Sequence, residues 1–211
     1  MAILVPLDDA GLGCRNLASK EHLPFSKTGK DLKWVVLKLA GSVGEGDLWK
    51  GIVKQCPEKL VVIVPADQLR QRDVRISRGL SWEATAEDLA SELQDNPVLQ
   101  PLLSAWHLIV TFRSDAAFWL DNTADGKTSM LVFDAANAEG EWAKRQGQGG
   151  AFGFLSCFTA SVVRELCQDE SEPDFEMALA LGLGASRELR RIGHGRMEAE
   201  KTPSYSGEKI A

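Results

Sequence analysis

A chain of 211 residues, 44% hydrophobic and 26% charged, has the size and composition of one globular domain that can bury a core. Its 24 basic residues against 30 acidic ones leave a net charge of −6, which argues against a nucleic-acid surface, because phosphate backbones select clustered Lys and Arg. No apolar run approaches the length of a membrane span, and Cys14, Cys56, Cys157 and Cys167 form no CxxC pair, so neither a zinc site nor a disulfide framework is implied.

The chain opens with MAILVPLDDAG, whose apolar segment is short and has no basic flank, unlike a signal peptide; a cytoplasmic protein is expected. Residues 2–7 form the first candidate strand and end in Asp8-Asp9-Ala10-Gly11. WVVLKL (34–39) is the second. A turn over 41–46 and a helix from about Asp47 to Gln55 follow it. LVVIV (60–64) is the third, set between Pro57 and Pro65. Each run is short and rich in β-branched residues, the pattern of strands buried on both faces.

Ser81 is placed to cap a helix running to about Leu93, with Glu83, Glu87 and Asp88 near its positive end. Asn96-Pro97 breaks that pattern, and a short helix over 98–105 leads into the strand HLIVTF (107–112). Residues 117–121 and 130–133 read as a strand pair whose connection, NTADGKTS, contains the turn signal Asp125-Gly126. Two helices follow, over 151–166 and about 174–192, separated by QDESEP. The basic cluster RELRRIGHGR, 187–196, suits the C-terminus of the second helix, where cations complement the dipole. Residues 197–211 are polar and are expected to be a tail, mobile or draped over the surface, beside a single domain over 1–196. Strand–helix alternation followed by a hairpin predicts an α/β fold, a three-layer sandwich with a mostly parallel sheet and antiparallel additions.

Three places could carry chemistry. Gly147, Gly149, Gly150 and Gly153 surround a helix start in GQGGAFGFLSCF, so bare backbone N–H groups could approach an anion closely. The same glycines also suit a plain tight turn. In Gly41-Ser42-Val43-Gly44-Glu45-Gly46-Asp47, Asp47 is either a catalytic carboxylate or, as the preferred reading, a helix cap. Asp8 and Asp9 end a strand, where carboxylates can hold Mg²⁺, yet neighbours in sequence point apart and a solvated turn is the simpler outcome. No metal site is predicted. His107, at the start of an apolar strand, reads as a core or edge residue rather than a base. The six tryptophans are dispersed and form no stacking stripe.

From Trp34 onward the order of parts resembles the C-terminal two-thirds of the ribokinase-like carbohydrate kinases. HLIVTFRSDAA resembles that family's T-x-G-x-x-G-A strand, with Thr111 and Ala117 matching and Arg113 and Ala116 standing at the glycines. GQGGAFGFLSCFTASVV resembles its anion-hole loop and helix, and FEMALALGLGASRELRRIGHG its last helix, with Pro203 shortly after. The resemblance implies a ribokinase-like fold. It also implies nucleotide contacts at Thr111 and Arg113, an anion loop over Gly147, Gly149, Gly150, Ala151, Phe152 and Gly153, and ATP or ADP with Mg²⁺ as the cofactor.

The departures are as informative. Gly153 stands where the family has its catalytic Asp, the base that takes the acceptor proton, and general-base catalysis contributes on the order of 10²–10⁴-fold. Phe152 adds bulk beside it, and only the segment 2–13 stands in for the family's N-terminal portion. Three readings follow. The first is a domain that has lost kinase activity and binds a nucleotide or other small ligand, or serves protein contacts. The second is an active kinase using a displaced acid, with Asp47, Asp8 or Asp9 as candidates. The third is a structural module in contact with other domains or a second copy of the chain. Arg113 could bind phosphate or fill the cleft by pairing with Asp115.

Overall fold

The computed structural model describes residues 2–7, 34–39, 57–70, 74, 76, 81–97, 99–112, 115–122, 128–134, 154–168, 173–193 and 205–210. Within them runs a seven-stranded sheet whose spatial order is the chain order. Strands β1 (Ala2–Leu7), β2 (Trp34–Leu39), β3 (Leu60–Pro65) and β4 (His107–Phe112) are parallel neighbours. Strands β5 (Ala116–Asp121), β6 (Thr128–Asp134) and β7 (Tyr205–Ile210) then continue it antiparallel. The expected hairpin is the β5–β6 pair, with Asp121 opposite Thr128 across the connection that carries Asp125-Gly126.

Strands β2 to β4 are buried on both faces because helices cover both faces. Along β3, Leu60, Val62 and Val64 enter one core, while Val61 and Ile63 enter the other. The first core is closed by helix α1 (Ala66–Arg70) and helix α2 (Trp82–Asp95), through Ala66, Leu69, Trp82, Ala86, Leu89 and Leu93. The second is closed by helix α3 (Phe154–Leu166) and helix α4 (Phe175–Gly193). Phe158, Val162 and Leu166 of α3 and Phe175, Leu179 and Leu183 of α4 recur at helical spacing and face the sheet. This is the three-layer α/β sandwich the strand–helix alternation predicts. Each large aliphatic side chain so buried contributes about 1.5–3 kcal/mol relative to exposure.

Local signals set the helix starts. The Ser81 hydroxyl accepts from the Ala84 amide at 3.2 Å, and Asp174 Oδ1 accepts from the Met177 amide at 2.9 Å, so both helices have side-chain N-caps. Glycine matters most in α4. A Cβ on Gly182 would lie 2.8 Å from Cδ2 of Phe158, so its absence lets α3 and α4 pack this closely.

Three expectations change. The short helix over 98–105 is a 3-10 turn, Gln100–Ser104. The third strand does not stop before Pro65 but includes it, and leads directly into α1. The stretch 197–211 is not a tail throughout, because residues 205–210 form β7 on the outer side of β6. The main-chain groups of β6 would otherwise form an open edge, and a polar segment can pair with them without offering much apolar surface.

Candidate functional site

Ligands of open α/β sheets sit beyond the carboxyl ends of the parallel strands. Here that edge is where β2, β3 and β4 reach Leu39, Pro65 and Phe112. Pro65 lies opposite Thr111 in the β3–β4 register, and Thr111 lies opposite Ala117 in β5. Strand alternation puts Thr111 on the same face as Ile109 and Ala117, the face covered by α3 and α4.

The direction of α3 is fixed by its antiparallel partner. The Asp174 amide donates to Glu165 Oε1 at 3.4 Å, and Gly182 meets Phe158. Phe175, at the start of α4, packs on His107, the first residue of β4, with ring centroids 4.2 Å apart. The end of α3 and the start of α4 therefore lie at the amino end of β4. The N-terminus of α3 points to the opposite edge, where Thr111 stands. A helix N-terminus carries a partial positive charge and free N–H donors.

Two side chains on this face add polarity to it. Thr111 is 1% exposed, and its hydroxyl has no hydrogen-bond partner. Lys38 is half-buried near the carboxyl end of β2, over which α3 packs, and burial lowers its pKa below the ordinary lysine value. Lys38 is a residue that sequence patterning does not single out. In WVVLKL it reads as one polar position in an apolar strand, and only the register sets it on the face that α3 covers.

A second polar feature lies beyond the end of β3, on the opposite face of the sheet. Arg70 ends α1, which leaves β3 at Pro65 and packs against β3 and β4. Its Nη1 donates to Asp67 Oδ1 at 3.2 Å, while its Nε and Nη2 are buried without a partner.

The opposite end of the sheet is aromatic. His107 lies among Trp34, Trp119 and Phe175, with centroid separations of 4.2–5.9 Å. Trp119 stacks on Phe175 at 4.9 Å. Burial holds the His107 imidazole down at about 4, outweighing the nearby Asp121 carboxylate, which acts the other way. The ring is thus neutral at pH 7 and built into the core, in line with its reading as a core residue. The tryptophans, dispersed in sequence, are not all dispersed in space.

Of the sequence candidates, Thr111 alone falls within the described residues. Asp8, Asp9, Asp47, Arg113, Gly147, Gly149, Gly150, Ala151, Phe152 and Gly153 lie outside them. Helix α3 begins at Phe154, the residue that follows Gly153 in the sequence. Among the described residues no group of three or more His, Cys, Asp or Glu side chains could hold a metal ion, and no helix is long and apolar enough to cross a membrane.

No family model matches the chain, and no curated protein sequence matches it. Among solved structures it is similar to a protein named as a sugar kinase from Clostridium perfringens, at 9% identity over 99% of this chain and 57% of that one, with a TM-score of 0.47. It is similar to one named as a 1-phosphofructokinase from Thermotoga maritima, at 12% identity over 98% and 64% of the two chains, with a TM-score of 0.40. A third is the pyridoxal kinase from Staphylococcus aureus in complex with ADP, at 11% identity over 85% and 64%, with a TM-score of 0.35. The chain spans less than two thirds of the length of each.

Proposed function

We propose that this chain is a ribokinase-like domain that binds a nucleotide or another small phosphate-bearing ligand at the carboxyl edge of β2–β4 and has lost ordinary kinase chemistry. The observation that carries the reading is the orphaned hydroxyl of Thr111, buried on the face and at the edge toward which α3 directs its N-terminus. A buried hydroxyl without a partner costs about 1–3 kcal/mol, so its retention calls for an explanation, and a ligand that accepts or donates to it supplies one. The loss of chemistry is supported by the loop sequence, in which Gly153 replaces the family's general base.

Thermal unfolding with ATP, ADP and AMP, each with and without Mg²⁺, tests the binding. A ligand at about 100 times its Kd stabilises the fold by roughly 2.7 kcal/mol. Absence of any shift at millimolar nucleotide would remove this reading. ATP consumption with sugar-like acceptors tests the chemistry, and turnover abolished by Asp47→Asn would restore the active-kinase alternative.

A second reading, an interaction module, is favoured by α4. Met177 and Leu181, one turn apart, are 52% and 50% exposed on its outer side. Self-association in sedimentation velocity that Leu181→Lys abolishes would support it; a concentration-independent monomer would not.

A further inference from the structure

We propose that Arg70 is an oxyanion receptor, binding a phosphoryl or carboxylate group of the ligand through Nε and Nη2. The guanidinium is planar and stays charged at every accessible pH, so burial cannot be relieved by losing its proton. Its Nη1 pairs with Asp67 within α1, and the side chain is 24% exposed overall. Nε and Nη2, however, are buried and unpartnered, and they hold most of the group's N–H bonds. These two nitrogens lie along one edge of the plane. That edge is the fork that grips two oxygens of a carboxylate or phosphate in parallel hydrogen bonds.

The placement supports the chemistry. Asp67 engages the opposite terminal nitrogen, which fixes the plane and leaves the fork undisturbed. Helix α1 starts where β3 ends, so Arg70 follows the strand end that neighbours Thr111, although α1 lies on the opposite face of the sheet from Thr111. Two buried polar groups without partners therefore flank the carboxyl ends of β3 and β4, Arg70 from α1 on one face of the sheet and Thr111 on the other. A buried donor left unpaired costs stability, whereas a receptor keeps such donors ready for its ligand. The inference rests on the reading of this edge as a ligand site, but it requires only an oxyanion and no nucleotide.

The test uses the full chain, with the melting temperature followed at constant ionic strength while chloride is exchanged for inorganic phosphate, acetate or ATP. Wild type, Arg70→Lys and Arg70→Met are compared. Lysine retains the charge and loses the fork, so oxyanion affinity is expected to fall at least tenfold. Arg70→Met is expected to lose the saturable shift and to melt above unliganded wild type. A stronger shift with phosphate than acetate assigns a phosphoryl group, and the reverse assigns a carboxylate; either supports the receptor. Equal affinities in wild type and Arg70→Lys overturn it, as does a wild type that shows no saturable response to any of the three anions. If Arg70→Met fails to fold, the lysine comparison decides alone. ATP stabilising wild type and Arg70→Lys equally leaves the nucleotide site standing without Arg70. An Arg70-dependent phosphate shift that ATP does not exceed keeps the receptor and removes the nucleotide.

Discussion

The indole N–H of Trp119 and the carboxylate of Asp121 converge on one nitrogen, Nδ1 of His107, each at 3.3 Å. A neutral imidazole nitrogen either accepts or donates, so it cannot serve both partners. With Nδ1 bare, it accepts from Trp119; with Nδ1 protonated, it donates to Asp121. Burial keeps the doubly protonated ring out of reach until the pH nears 4.

This relationship sets a pH dependence. The folded-state pKa of His107 lies below its ordinary value of 6.5, so the unfolded chain takes up the proton first. The contribution to stability is complete above pH 6.5 and is lost as the pH falls from 6.5 toward 4. The slope is about 1.4 kcal/mol per pH unit. Urea unfolding across this window should show wild type losing stability more steeply than His107→Gln. Parallel curves for the two proteins would show that His107 does not titrate in this way.

Thr111→Val removes the orphan hydroxyl with little change of shape. The unliganded domain is expected to gain about 1 kcal/mol, since the unsatisfied oxygen no longer has to stay buried. If the hydroxyl serves a ligand, the same substitution weakens ligand binding, so stability and function move in opposite directions. Calorimetry of the free protein and ligand titration of the same samples measure both effects.

Gly182→Ala forces a methyl group into the ring of Phe158, and a cost of about 1–3 kcal/mol is expected from overpacking. Phe158→Leu should relieve part of that cost. A double-mutant cycle read by urea unfolding would then give a favourable coupling between the two changes. Additive effects would place the strain elsewhere.

Ser81→Ala deletes the cap on α2 and should cost about 1 kcal/mol, with Ser81→Asp restoring most of it. Equilibrium unfolding of the two variants beside wild type checks both.

The features visible in the sequence are those written in short windows. The apolar run 107–112 is β4 to the residue, WVVLKL is β2, and the Ser81 cap stands where its spacing puts it. Helix α1 is missed because five residues after a proline leave too little periodicity. Strand β7 is missed because main-chain pairing recruits it, and YSGEKI carries little apolar signal of its own. The cluster of Trp34, His107, Trp119 and Phe175 joins residues from three strands and a helix, so it exists only once register is set. Arg70 and Lys38 are invisible for the same reason, since a charged residue in a sequence does not reveal which of its atoms will be dry. Thr111 was reachable because a motif resemblance pointed to its strand end.

The order of the sheet has a consequence for how the molecule is assembled. Among the described residues, every pair of adjacent strands is also consecutive along the chain, with no strand inserted between earlier ones. Growth can therefore proceed outward from one margin, each new strand docking on the edge left by the last, without any completed pair having to reopen. Misthreading, the hazard of sheets whose central strands arrive late, has little purchase on such a plan. The reversal of direction after β4 divides this growth into two regimes. The parallel half waits for long connections to return the chain to the same end of the sheet, whereas β5 and β6 can close locally as hairpins.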